Sequence, residues 1–69
     1  MSIYLNALKK KYEADIEVIQ ANLQNYLDNG VGVADHPDLM QDIDKLVSSL
    51  ANAQEKLDTV VNYKKDYGV

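Results

Sequence analysis

Asn29-Gly30-Val31-Gly32-Val33-Ala34-Asp35-His36-Pro37 is the stretch that decides the fold. It holds two of the three glycines and the single proline of a 69-residue chain, and it divides two segments rich in helix-forming residues. Asn29-Gly30 after Asp28 suits a helix end, because glycine takes up the left-handed conformation that a helix terminus often needs. Asp35 or His36 suits the cap of the next helix, with Pro37 in its first turn and Asp38 beside the exposed amides. The sequence therefore predicts one domain over 1–69. Helix 1 occupies about 2–28 with Ser2 as its cap, a loop covers 29–36, and helix 2 runs over about 37–66. A loop this short folds two rods of roughly 40 Å back side by side, so the expected fold is all-α, an antiparallel two-helix hairpin.

Outward from the loop, each segment carries an apolar stripe. In helix 1, Leu5, Leu8, Tyr12, Ile16, Ile19, Leu23 and Leu27 step by threes and fours in an eleven-residue pattern, which predicts a nearly straight helix. In helix 2, Ile43, Leu50 and Leu57 form a seven-residue spine, flanked by Leu46, Ala53 and Val60 on one side and Val47 and Val61 on the other. That stripe is wider than a two-stranded seam requires.

The back faces differ. Behind its spine, helix 2 shows Gln41, Lys45, Ser48, Asn52, Glu55, Lys56 and Thr59, which is a solvated face. Behind its stripe, helix 1 shows Ile3, Ala7, Ala14, Val18 and Ala21, where small residues permit close approach of another helix. The plainer account is that alanine is the best helix former and these positions face water. Ile3, Ala7, Ala14, Val18 and Ala21, with Leu46, Val47, Val60 and Val61, are the candidate interface residues.

Size points to an interface. A single apolar core in a chain of 7.7 kDa rarely supplies more than roughly 3–5 kcal/mol without a staple. Cysteine is absent, so neither disulfides nor thiolate metal cages are available. Association is the remaining remedy, and a homodimer that completes a four-helix bundle is the expected form.

Charge bears on orientation and partners. Antiparallel folding brings Lys9, Lys10 and Lys11 to the end that carries Lys64 and Lys65, while Asp28, Asp35, Asp38, Asp42 and Asp44 gather at the loop. Two rods with one basic and one acidic tip match when packed antiparallel and oppose like charges when parallel. Acids at the start and lysines at the end of helix 2 also suit its own dipole, but the lysines of helix 1 sit at the wrong end for that account. Tyr4, Tyr12, Tyr63 and Tyr67 gather beside Lys9, Lys10 and Lys64, so this tip is a candidate docking patch; rim packing is the plainer role for the rings.

Several function classes are disfavoured. A net charge of −4, with lysine as the sole basic residue type, argues against nucleic acid, since bidentate guanine or phosphate recognition uses arginine. No apolar run reaches the ~18–20 residues of a membrane span, and the N-terminus lacks the apolar core of a signal peptide, so a cytoplasmic location is expected. Ser48 and Ser49 lie mid-helix and far from His36, so no nucleophile and base are paired. His36, with Asp35 and Asp38 beside it, starts a helix more naturally than it ligates a metal, and no enzyme activity or cofactor is expected.

Two resemblances remain. His36-Pro37-Asp38 between helices resembles the signature of J-domain co-chaperones, but that family places a strongly basic helix before it, and Leu23 to Asp35 here contains no basic residue. Tyr4-Leu5 with Leu8-Lys9, the loop from Gly30 to Asp38, Ile43-Asp44 and the string from Ala51 to Leu57 look like small helical proteins of T4-like tailed phages of cyanobacteria. That likeness implies a phage accessory protein, part of the virion or made in the host to bind a host protein.

Overall fold

The computed structural model describes residues 2–29 and 38–67, and side chains over 3–29 and 38–63. Two helices account for nearly all of it: α1 (Ser2–Asn29) and α2 (Leu39–Tyr67), packed along their lengths as an antiparallel hairpin. The boundaries fall within two residues of the expected ones. The Asp42 amide donates to the Asp38 carbonyl at 2.9 Å, the first helical bond of α2, so Asp38 occupies the cap position. The earlier caps expected at Asp35 or His36 lie outside the described residues, as does the Ser2 side chain. At the far end of α1 the Asn29 side-chain amide turns back onto residue 25, donating to the Asn25 side-chain oxygen at 2.6 Å and to its carbonyl at 3.2 Å.

Burial shows which residues make the seam. In α2 the covered apolar positions are Leu39, Ile43, Leu46, Leu50, Ala53, Leu57 and Val60, a repeat of alternating four- and three-residue steps. In α1 the covered positions include Leu5, Lys9, Tyr12, Ile16, Ile19, Leu23 and Tyr26, with the same steps. Both helices therefore present heptads. Lys9, Ile16 and Leu23, like Ile43, Leu50 and Leu57, take position a, and the alternate seam residues take position d.

This corrects the eleven-residue reading of helix 1. Leu8 and Leu27 are 37% and 56% exposed, and Lys9 and Tyr26 hold the seam in their place. A seven-residue repeat calls for a slight left-handed winding rather than a straight rod.

Only Ala53 and Val60, at 5% and 7% exposure, are buried among the described residues. The shape explains this. The chain spans 51 × 14 × 13 Å with a radius of gyration of 15.7 Å, where a compact domain of this length has about 11 Å. Its accessible surface is 5228 Å², roughly 900 Å² above the area typical of a folded monomer of this mass. Each seam residue is covered from one direction only, so Leu50 and Leu57 remain half-buried.

Candidate functional site

Two helices enclose no cleft, so the sites on offer are surfaces, and the heptad sorts them. In an antiparallel pair the residues just after each d position, at e, line one side of the hairpin. Those just before each a position, at g, line the other.

The g side is mixed in polarity and linked across the helices. It carries Leu8, Asp15 and Asn22 from α1 and Asp42, Ser49, Lys56 and Tyr63 from α2. The Tyr26 hydroxyl donates to Asp42 Oδ2 at 3.3 Å. Lys56 Nζ lies 5.8 Å from the centre of the Tyr12 ring, and Lys11 Nζ lies 5.7 Å from the same ring. Lys11 also pairs with Asp15 at 2.9 Å. That hydrogen bond and the carboxylate charge raise the lysine's pKa, although the ammonium is fully exposed and its pairing is screened by solvent. Open grooves along this side are lined by Asp15, Asn52 and Lys56 and, nearer the loop, by Asn22, Asn25, Asp42 and Lys45.

Asp42 has two roles, since it stands in the first turn of α2 and receives the bond from Tyr26. Asp42→Ala should lower stability by about 1 kcal/mol, read as a lower urea midpoint at unchanged slope. Tyr26→Phe, which removes only one long hydrogen bond, should cost about half as much.

The e side is aliphatic on α2. Met40, Val47, Gln54 and Val61 recur every seven residues, with Met40 73%, Val47 47% and Val61 41% exposed. Leu27 of α1 belongs to the same side at the loop end, while Asn6, Glu13 and Gln20 continue it toward the termini.

The interface candidates divide among these surfaces. Ile3, Ala7, Ala14, Val18 and Ala21 are all exposed on α1, and Val18 also lines the groove shared with Ser49, Asn52 and Lys56 of α2. Val47 and Val61 stand on the e side. Leu46 and Val60 lie in the seam, covered by α1.

The tip candidates divide as well. Tyr4 and Tyr63 are exposed near the end where the chain begins, and Lys10 is exposed. Tyr12 is half-buried beside Lys56, and Lys9 is half-buried in the seam, where its methylene stem covers apolar surface. Lys64 and Tyr67 have side chains outside the described set.

Of the exposed large apolar residues, Met40 has no place in the stripes and patches read from the sequence, and Leu27 belongs there to the stripe of helix 1. The signal for Met40 was its seven-residue spacing from Val47. Among the described residues, no group of three or more His, Cys, Asp or Glu could hold a metal ion, and no helix is long and apolar enough to cross a membrane. His36 lies outside the described residues. No family model, curated protein or solved structure matches the chain.

Proposed function

We propose that this chain is a non-enzymatic helical interaction protein that completes its core by self-association, as an antiparallel dimer forming a four-helix bundle. The observation that carries the proposal is the thinness of the core: Ala53 and Val60 alone are buried among the described residues, while nine large apolar side chains stand exposed. An isolated pair of helices with so little covered surface has almost no margin against chain entropy. A second copy removes that deficit without any new element. With its resemblance to small phage proteins, the chain reads as a structural or accessory component, acting in the virion or in the host cytoplasm.

Light scattering on a sizing column should give twice the 7.7 kDa chain mass at micromolar concentration. Raising the salt from about 0.05 to 0.5 M should weaken the dimer by a few-fold, because matched basic and acidic tips set its orientation. A helical species that holds the single-chain mass at every concentration would sink the reading.

A second reading draws on Ile3, Tyr4 and Val18, which stand mostly exposed on α1. A host protein covering that surface would make the chain an inhibitor or adaptor. In that case the free hairpin is monomeric, and Ala14→Arg abolishes capture of the partner without lowering helicity.

A further inference from the structure

The geometry points to the e side of the hairpin, Met40, Val47 and Val61 of α2 with Leu27 of α1, as the surface on which a second copy packs. The copy lies antiparallel, with the twofold axis level with Leu50 and Ala51. This rests on the self-association proposed above and adds the face and the register.

Two observations select this side. First, the g side carries Asp15, Asn22, Asp42, Ser49 and Lys56 beside Leu8 and Tyr63, and it is already linked across by Tyr26 to Asp42 and Lys56 to Tyr12. On the e side, α2 presents Met40, Val47 and Val61 at heptad spacing with Gln54 between them, and α1 adds Leu27 beside the polar Asn6, Glu13 and Gln20. Second, the two sides of the seam are unequally covered. Ala53 and Val60, the buried pair, are at d, away from the e side, whereas Ile43, Leu50 and Leu57 at a lean toward it and stay half-buried. Apolar residues at a, d and e are the pattern of a helix that packs against two neighbours. The elongated shape leaves roughly 900 Å² of surface per chain beyond that of a compact monomer of this mass, enough for the ~800 Å² that each partner contributes to a standard protein interface.

Charge and spacing set the register. Met40 and Val61 stand symmetrically about the level of residues 50–51, as do Val47 and Gln54. An antiparallel copy centred there places Met40 against Val61 of the other chain at both ends and overlaps α2 along nearly its whole length. It also brings Lys10 of each chain to the level of the acidic first turns of α2 of the other, where Asp44 stands beside the e side, while parallel tips would bring the loop acids together.

Two sets of variants test this. Met40→Asp with Val47→Asp changes residues outside the hairpin seam. The double variant should keep its helical circular dichroism at high protein concentration and lose the dimer by at least a hundredfold in Kd, while Ala14→Arg on the outer face of α1 leaves the dimer intact. The chain has no cysteine, so single cysteines report the register directly. Ala51→Cys should cross-link to itself under mild oxidation. Met40→Cys should not, because its two copies lie roughly 32 Å apart in the antiparallel register, far beyond the ~7 Å limit between disulfide-bonded Cα atoms. Mixed Met40→Cys and Val61→Cys chains should cross-link.

A dimer that survives both aspartates, with no cross-link at Ala51→Cys, overturns the face and leaves self-association standing. Self-cross-linking of Met40→Cys as fast as Ala51→Cys overturns the antiparallel register. A wild-type chain that is monomeric throughout overturns this inference together with the reading beneath it.

Discussion

Leu50→Asp should leave the chain without a cooperative fold: helical ellipticity at 25 °C falls to a small fraction of the wild-type value, and the thermal transition disappears. Leu50 is an a-position seam residue near the middle of α2, and its covered surface lies against α1. The substitution removes about 2 kcal/mol of apolar burial and places a carboxylate against Ile16 and Ile19, with no cation in the adjoining seam positions. A total penalty of about 3–5 kcal/mol equals the whole stability that a core of this size supplies. The more exposed Val47→Asp, three residues away, is the internal control. It changes association and leaves the hairpin helical at high concentration. A Leu50→Asp chain with wild-type melting and mass would remove Leu50 from the core and with it the heptad assignment of α2.

Much of the fold is written in residues whose backbone preferences are strong. The Asn29-Gly30 stop and the proline after it fix two helices and a short connection, and the short connection fixes their antiparallel course. Helix 2 was legible in detail, because Ile43, Leu50 and Leu57 repeat every seven residues without interruption. Helix 1 was not. Two of its seam positions hold Lys9 and Tyr26, which a count of apolar residues passes over, and Leu8 and Leu27 stand one place away to draw the eye. A lysine stem lies along apolar surface at the edge of a pair while its head group stays in water, so polarity of the head group misled the periodicity.

The candidate site was legible in its parts and not in its grouping. Val47 and Val61 stand out in the sequence as an extra flank of the helix 2 spine. That Met40 and Leu27 share this side follows only once the seam of both helices is placed, since a one-residue change in the seam moves every other position around the helix by about 100°. The alanines at 7, 14 and 21 give the opposite case. Their seven-residue spacing follows the heptad of α1 on its outer face, but nothing around them distinguishes a contact surface from ordinary solvated helix.

Lys9→Leu should raise the melting temperature by roughly 5–15 °C, which corresponds to about 1–2 kcal/mol for a domain of this size. Lys9 occupies an a position, half-buried between Leu5 and Tyr12 on the α1 side of the seam and near the level of Thr59 and Val60. Leucine there replaces an ordered stem of high rotamer entropy with a side chain that gains from burial. The gain should come with a loss of uniqueness. A polar residue at a single a position fixes register and oligomer state at a cost in stability, because sliding the helices would drive its charge into the apolar seam. Once the lysine beside Leu8 is itself a leucine, the amino-terminal half of α1 offers two nearly equivalent stripes running on from Leu5. Light scattering should then reveal species above the dimer, and amide spectra should double over residues 3–12. A substitution that lowers the melting point instead would mean that the Lys9 ammonium makes a stabilising contact of its own, and the register of the pair would have to be assigned to Tyr26 and Asp42 at the opposite end.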